Sequence, residues 1–391
     1  MCLIHSIGGA FTKQPEELNS KLSTKSSDLI KRAFDDIDPE KLIDHHVHIA
    51  GLGAGGTNAF VNAKMLTWRH PFHRLKLKVY MSSAGVSDEG NADPQAAARL
   101  ADLVKSIKNH GKHRLLAFDK HYRKDGTVNL EKTEFYVPNE YVFELAERYP
   151  DLFVPNISVN PYRPDAIAEL EKWARRGARI VKWLPNAMGI DPSDPQCDPF
   201  YRKMKELDLI LLSHGGEEKA VEAEEDQKLG NPLLLRRALD HGVKVIVAHC
   251  AGLGANEDLD SRERKQISNF DFFLRLMDEK RYEGLLFGEI SAMTQFNRSG
   301  KPLRTMLARE DLHERLVNGS DYPLPAVNLL IRTRPLVKQG YLENSEAESL
   351  KEIYDYNPLL FDFVLKRSLK LPGTTRPFPA SIFMANLALN A

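Results

Sequence analysis

Cysteine is nearly absent from this chain of 391 residues, which contains only Cys2, Cys197 and Cys250. Three widely spaced cysteines do not make a disulfide framework, so we expect a reducing compartment, the cytoplasm. The sequence also lacks an apolar run of about 18 residues, the length that a membrane-spanning helix needs. The first residues, "MCLIHSIGGAFTK", have no basic region followed by a long apolar core and do not read as an intact signal peptide. The alternative location is a lipid anchor through Cys2.

Net charge is absent as well, because 54 Lys and Arg residues balance 54 Asp and Glu residues. This balance removes the electrostatic argument for a nucleic-acid partner or an anionic-membrane partner. The hydrophobic fraction of 42% is large enough for a sizeable core, which argues against a disordered chain. We therefore expect a globular protein whose partner is a small molecule. The oligomeric state stays open, with a homodimer as the candidate.

Short apolar runs alternate with helical patterns along most of the chain. The runs that resemble buried parallel strands are 41–49, 114–119, 152–159, 178–184, 209–214, 243–250, 284–291 and 315–321. Helical spacing separates many of them, as at 164–177, 231–242 and 269–281, and the first two of these stretches end in glycine. Strand and helix alternating about eight times predict an α/β fold, a (β/α)8 TIM barrel. An open doubly wound sheet is the alternative, but "GLGAGG" at 51–56 is not followed by a clear helix.

The same pattern divides the chain into parts. Residues 1–40 form an N-terminal extension with one short helix, for which Ser26 or Ser27 is the expected cap. The barrel is expected over 41–366, with an insertion at about 60–113 near the active face. Residues 367–391 carry three prolines and form a C-terminal arm that wraps the barrel.

Residues that bind metal or move protons fall at the ends of the apolar runs. His46 and His48 alternate on the first run and should share one face, whereas His45 should turn toward the helix layer. Later runs carry further residues of this kind near their ends: Lys182, His214, His249 and Asp321. All strand ends of a barrel gather at one face, where active sites lie. Burying so many imidazoles and a carboxylate together costs free energy unless a binding partner compensates for their lost hydration. A divalent cation is such a partner, because imidazole and carboxylate groups are good ligands for it.

Four motifs resemble the amidohydrolase superfamily, and most closely its amidohydrolase-related branch of metal-dependent TIM-barrel hydrolases. They are "DHHVHIAG" on strand one, "LLSHGG" on strand five, "VIVAHCAG" on strand six and "NGSDYPLP" on strand eight. Two further stretches are similar to that branch, "GNPLLLRRALDHGVKVIVAHC" and "YNPLLFDF". The resemblance covers about residues 40–365.

The resemblance implies a metal site and roles for its residues. His46, His48, His214 and Asp321 would bind one divalent metal, zinc in first place and manganese as the alternative, with a water in the open position. Asp321 would act as general base and then as general acid, and His249 would polarise the substrate. Lys182 would contact the substrate beside one metal, or be carboxylated and bridge two.

The substrate is less well defined by the sequence. Asn160 and Arg163 follow the third strand and are expected near the mouth, where an arginine could hold a carboxylate. The resemblance implies hydrolysis of an amide, lactone or ester bond in a small, carboxylated molecule. Non-oxidative decarboxylation of a small aromatic or dienoic acid is the alternative. A catalytically inactive barrel that serves as a binding protein is a remote third.

Overall fold

The computed structural model describes residues 13–49, 51–221 and 223–389. Cys2, the residue of the alternative lipid anchor, lies outside these residues. Within them, no helix is both long enough and apolar enough to cross a membrane.

Eight parallel strands make the central structure. They are β1 (Ile43–His48), β2 (Lys112–Leu116), β3 (Phe153–Asn156), β4 (Ile180–Trp183), β5 (Ile210–His214), β6 (Val245–Ala248), β7 (Leu286–Glu289) and β8 (Leu316–Val317). Strands β1 to β3 pair in order, as do β4 to β8. Single parallel bridges join the two sheets at both edges, Ile157 to Val181 and Val47 to Tyr322. The strands therefore close into a ring, and the predicted barrel is confirmed.

A helix follows each strand and covers the outside of the barrel. These helices are Ala92–Lys105, Asn139–Arg148, Ala166–Arg175, Asp198–Glu206, Arg236–Asp240, Asn269–Asp278, Lys301–Ala308 and, after β8, Asn344–Tyr356 with Pro358–Ser368. Further helices are Leu18–Lys21, Thr24–Ala33, Ala63–Leu66, Pro71–Ser83, Pro185–Met188 and Thr333–Lys338. Two small antiparallel pairs complete the regular structure, Phe60–Val61 with Phe135–Tyr136 and Ala255–Glu257 with Gln266–Ser268.

The cap of the N-terminal helix differs from the prediction. The helix Thr24–Ala33 begins after Ser23, whose side chain accepts a hydrogen bond from the Ser26 backbone N–H. Ser26 is buried in the first turn instead, and its hydroxyl donates to Glu352 of the helix Asn344–Tyr356. The expected cap is therefore wrong by about one turn, because tertiary packing rather than local capping uses Ser26.

Apolar side chains fill both the barrel and the layer between strands and helices. Inside the barrel, Leu116, Leu212 and Phe287 belong to one buried cluster that also includes Leu389 of the C-terminal segment. That segment reaches the start of β1 through an antiparallel bridge between Leu42 and Met384. Leu389 therefore closes the end of the barrel where the strands begin, and it leaves the opposite end open for a site.

Candidate metal centre

The strand ends bring the predicted polar residues to one face of the barrel. His48 ends β1, His214 ends β5, and His249 directly follows β6. Asp321 follows β8, where its backbone N–H donates to the His46 carbonyl at 2.7 Å. Together with Lys182 of β4, these side chains line a single cavity.

Three ligand atoms lie at the spacing that a metal ion requires. His46 Nε2 is 3.1 Å from His48 Nε2, and Asp321 Oδ1 is 3.4 Å from the former and 3.3 Å from the latter. Ligands about 2.0–2.2 Å from a tetrahedral or octahedral ion lie roughly 3.0–3.5 Å from one another. His46, His48 and Asp321 therefore have the mutual spacing of ligands to one divalent cation.

Glu289 fixes the orientation of the His46 ring. His46 Nδ1 lies 2.9 Å from Glu289 Oε2, and the Ser291 hydroxyl donates to that same carboxylate oxygen at 2.8 Å. When Nδ1 carries the proton, the lone pair of Nε2 is free for a metal. Burial holds the pKa of His46 well below its usual range, so the ring stays neutral. Burial raises the pKa of Glu289 to about 7, and the nearby Asp321 carboxylate also raises it.

His214 also has a carboxylate partner, but it does not belong to the group formed by His46, His48 and Asp321. Its Nδ1 is 3.5 Å from Glu218 Oε2, and Glu218 in turn accepts from the backbone N–H groups of Ala220 and Val221. His214 Nε2 is buried and has no hydrogen-bond partner among the described residues. An orphaned, neutral imidazole nitrogen at this place fits a metal ligand. The ligand atoms of His46, His48 and Asp321 all lie within 4.8 Å of one another, and His214 is not part of that group.

His249 lies beside the metal group without belonging to that triangle. Its Nδ1 is 2.7 Å from the Ser291 hydroxyl, and its Nε2 is 3.8 Å from Asp321 Oδ2. The ring is stacked on His46 with centroids 5.2 Å apart. Burial holds the pKa of His249 well below its usual range. His249 is therefore a neutral ring that faces the outer oxygen of Asp321.

Lys182 of β4 also lies next to the ligand atoms. Its Nζ is 3.0 Å from His46 Nε2, and burial lowers its pKa to about 8. A lysine with such a pKa is partly neutral near pH 8, so its amine can accept or donate a proton.

The backbone is strained where two of these residues stand. Asp321 has φ of 60° and His249 has φ of 57°, both in the left-handed region that non-glycine residues rarely adopt. Such conformations persist where the surrounding structure enforces them, and they cluster at functional sites. The strain therefore marks the same two positions that the strand-end pattern selects.

A bulge in β1 changes the expected direction of His45. Asp44 pairs with His113 and Val47 pairs with Leu115, so two residues, His45 and His46, oppose a single residue of β2. That residue is Arg114, and simple alternation is interrupted at this point. Burial, together with the charge of Arg114, lowers the pKa of His45 to about 3. The bulge therefore sets His45 opposite Arg114 and removes the simple alternation from which its direction was predicted.

The cavity above the metal group is small and mostly apolar. Its volume is about 140 Å³. Its apolar and aromatic walls are made by Ile49, Tyr80, Met81, Phe118, Phe135, Tyr136, Val137, Leu184, Ala220, Val221, Pro323 and Leu324. Tyr80 and Met81 come from the helix Pro71–Ser83 in the inserted segment, and the Tyr80 hydroxyl donates to the Ala220 carbonyl at 2.8 Å.

Asn160 and Arg163, the predicted substrate contacts, do not line this cavity. The Asn160 amide donates to the carbonyls of Lys120 and Met188, and Arg163 forms a two-point pair with Asp165. Arg163 also binds Asp119, a buried carboxylate that needs a cationic partner. Both residues therefore hold loops together after β2 and β3 instead of facing a ligand.

Several residues of the site and of its cavity were not found by the sequence analysis. Glu289 could have been placed by alternation, because Phe287 of the same strand belongs to the interior cluster. Glu218 lies four residues beyond His214, in a loop without a recognisable pattern. Tyr80 and Met81 come from an insertion whose docking only the folded chain reveals.

The fold and the site together define a (β/α)8 barrel with a His/His/Asp centre where its strands end. Residues 43–329 match the family model described as amidohydrolase, so the chain belongs to the amidohydrolase family. This family is metal-dependent and acts on small molecules, which agrees with the group of ligand atoms found here. No curated protein matches the sequence.

Several solved structures are similar to this chain. An uncharacterized TIM-barrel protein from Bordetella bronchiseptica has 15% identity and a TM-score of 0.48, over 80% of this chain and 95% of its own. A 5-carboxyvanillate decarboxylase from Novosphingobium aromaticivorans, solved with bound manganese, has 12% identity and a TM-score of 0.45, over 81% and 94%. A 4-oxalomesaconate hydratase from Rhodopseudomonas palustris has 15% identity and a TM-score of 0.39, over 80% and 95%.

Proposed function

We propose that this protein is a metal-dependent hydrolase of an amide, lactone or ester bond in a small molecule. The observation that carries the proposal is the triangle of His46, His48 and Asp321 in a mostly apolar cavity where the barrel strands end. One zinc ion per chain is the proposed cofactor, with manganese as the alternative. When bound, the metal would acidify a water molecule and polarise the carbonyl of the substrate.

The residues of the chain would handle the protons. Asp321 accepts a proton from the attacking water and returns it to the leaving group, since its second oxygen stays on the open side near His249. His249, held by Ser291, donates a hydrogen bond from Nε2 to the substrate carbonyl when Nε2 is the protonated nitrogen. His214 supplies a further ligand through its orphaned Nε2. Lys182 contacts the substrate from the floor.

The cavity narrows the substrate class. A cavity of about 140 Å³ is close to the size of an apolar cavity that holds one benzene ring. Lys182, Glu218 and Asp321 are the acidic and lysine residues in its lining, and no arginine is present among the described residues that line it. We therefore propose a compound of about one ring whose only strongly polar group is the scissile bond. We do not propose an additional carboxylate on the substrate, because Arg163, which was expected to bind it, does not line the cavity.

Decarboxylation of a small aromatic or dienoic acid is the second candidate, and Lys182 favours it. An ammonium 3.0 Å from His46 Nε2 adds positive charge beside the metal, where a reacting carboxylate would bind. The apolar walls would then face the ring. In this case the carboxylate that leaves is the only charged group of the substrate.

One experiment separates these candidates. Metal-loaded protein is mixed with panels of one-ring esters, lactones and amides and of one-ring carboxylic acids, and both acid release and carbon dioxide are measured. Bond hydrolysis that is lost in Asp321→Asn supports the hydrolase. Carbon dioxide without hydrolysis selects the decarboxylase. Turnover in neither panel, with metal bound, counts against both and favours the inactive binding barrel.

We also propose the organisation in which this reaction takes place. Residues 1–40 are an extension, 41–366 the catalytic barrel with its insertion at about 60–113, and 367–391 a C-terminal arm. The wall formed by Tyr80 and Met81 supports a role for the insertion at the site. A homodimer in the cytoplasm remains the proposed state.

A further inference from the structure

The loop that carries Asp321 is held to β1 by backbone hydrogen bonds. β8 has only two residues, and the loop that follows it is formed by residues 318–322. The Asp321 N–H donates to the His46 carbonyl at 2.7 Å, and the His48 N–H donates to the Tyr322 carbonyl at 2.9 Å. Asp321 itself has the left-handed φ of 60°, which persists only where neighbouring groups enforce it. Further contacts of this loop therefore matter for the position of its carboxylate.

A buried lysine makes such a contact. Lys366 lies on the helix Pro358–Ser368, outside the barrel, and is only 1% exposed. Its Nζ donates to the Gly319 carbonyl at 2.6 Å and to Asp362 Oδ2 at 2.5 Å, and Asn318 Oδ1 lies 3.5 Å away. An ammonium group has three N–H donors, and two of these three acceptors belong to the loop. The lysine thus connects the loop to the helix layer.

Stability alone does not account for a charge at this place. Removing an ammonium and a carboxylate from water is costly, and apolar residues of similar size often replace such a buried pair without loss of stability. Val364 and Leu365, which lie between Asp362 and Lys366 in the helix, are themselves apolar and fully buried. What the ammonium adds is direction, because its N–H groups fix the position of the carbonyl that accepts from them.

The loop passes directly beside the metal group at Gly319. A Cβ atom at this position would lie 2.5 Å from Glu289 Oε1 and 2.6 Å from His46 Cβ, so only glycine fits. Glu289 is the carboxylate that orients the His46 ring, and Asp321 follows Gly319 by two residues. A shift of Gly319 would therefore change the position of both the oriented ring and the third ligand.

Asp44 attaches the next residue of the loop to β1. Its Oδ1 accepts from the His46 N–H at 3.0 Å and from the Ser320 N–H at 2.9 Å. One carboxylate oxygen thus joins the backbone of a ligand residue to the backbone of the loop. Lys366 and Asp44 together hold two adjacent residues of the loop, Gly319 and Ser320, ahead of Asp321.

We propose that Lys366 is a positioning residue for the metal group: its hydrogen bond to Gly319 places the loop so that Asp321 lies at ligand spacing from the two histidines. Lys366 does not line the cavity, so it acts on a metal only through the loop. This role rests on the proposed function, because the position of Asp321 matters for a metal only if the site binds one. Tight metal binding would then depend on a residue of the outer helix layer.

The zinc affinity of the full-length protein, measured with a competing chromophoric chelator, tests this role. Lys366→Met is similar in length but cannot donate, so it should bind zinc about tenfold or more weakly than the parent while staying folded. Asp362→Asn is the matched control. It disturbs the same buried pair but leaves the lysine bonded to Gly319, so its zinc affinity should stay close to that of the parent although its stability falls.

A spectroscopic measurement separates positioning from a purely structural role. The visible spectrum of the cobalt(II)-loaded protein reports ligand geometry, so it should change in Lys366→Met and not in Asp362→Asn. Equal zinc affinity in Lys366→Met and the parent overturns the proposal, as does an equal loss in both variants. If the parent binds neither zinc nor manganese, the proposed function fails and this role fails with it. Lys366→Gln, whose side chain is one atom shorter, replaces Lys366→Met if that variant does not fold, and the same loss is expected.

Discussion

His46 and Glu289 form the central pair of the site, with His46 Nδ1 2.9 Å from Glu289 Oε2. The two residues come from the first and seventh strands, and the fold alone makes them neighbours. The carboxylate selects the tautomer that turns Nε2 toward His48 and Asp321. A ligand nitrogen is thus aimed before any metal arrives.

Glu289→Gln should lower metal affinity about 10- to 100-fold, because the neutral amide orients His46 less firmly and reduces its basicity. Competition with a chromophoric chelator would measure the change. Glu218→Gln should have a smaller effect through His214, which stands outside the close group. Glu217→Gln serves as the matched control, and an equal loss in that variant would contradict a specific role for Glu289.

His46→Ala and His48→Ala should each abolish metal retention and activity, because each removes one corner of the His/His/Asp triangle. His45→Ala should retain both, since His45 does not belong to the group of ligand atoms. Metal content per chain after gel filtration is the measurement. If His45→Ala loses metal to the same degree, the assignment of ligands on β1 is incorrect.

Lys182 should remain an unmodified amine next to a single metal. We expect about one metal per chain, unchanged when bicarbonate is added during purification, and Lys182→Met should keep the metal while losing activity. Elemental analysis of both proteins gives the answer. Two metals per chain in the parent and fewer in Lys182→Met would instead indicate a carboxylated, bridging lysine.

The metal-free protein should lose stability as the pH falls below about 6.5. Burial lowers the pKa of His45 and of His214 to about 3 in the folded state, whereas an unfolded histidine titrates near 6.5. Between these values the unfolded chain binds more protons, so the free energy of unfolding decreases as pH decreases. Each such histidine contributes a loss of about 2 kcal/mol between pH 7.5 and pH 5.

Denaturant unfolding of the parent and of His45→Leu at these two pH values tests that prediction. The variant should lose about 2 kcal/mol less than the parent between pH 7.5 and pH 5. A loss of the same size in both proteins would mean that His45 is not buried in its neutral form. Lys112→Leu, a surface change at the start of the neighbouring strand, controls for the altered sequence.

Much of this architecture follows from local patterns. Each apolar run of the sequence overlaps a barrel strand, since a strand buried on both faces needs a nearly continuous apolar segment. Seven of the eight runs contain the whole strand, whereas β2 begins two residues before its run at 114–119. Gly177 and Gly242 end helical stretches with positive φ, as their positions predict. The strand-end positions of His214, His249 and Asp321 were visible too, because parallel strands of a barrel all end at one face.

Other features depend on contacts between distant parts of the chain. No local pattern places Tyr80 in the cavity wall, turns Arg163 to Asp119, or inserts a bulge that sets His45 opposite Arg114. Sequence alone determined the barrel and the set of polar strand ends, since these rest on periodicity and spacing. Tertiary structure decided the shape and polarity of the cavity and the partner of each ring nitrogen, because these depend on which loops and strands meet after the barrel has closed.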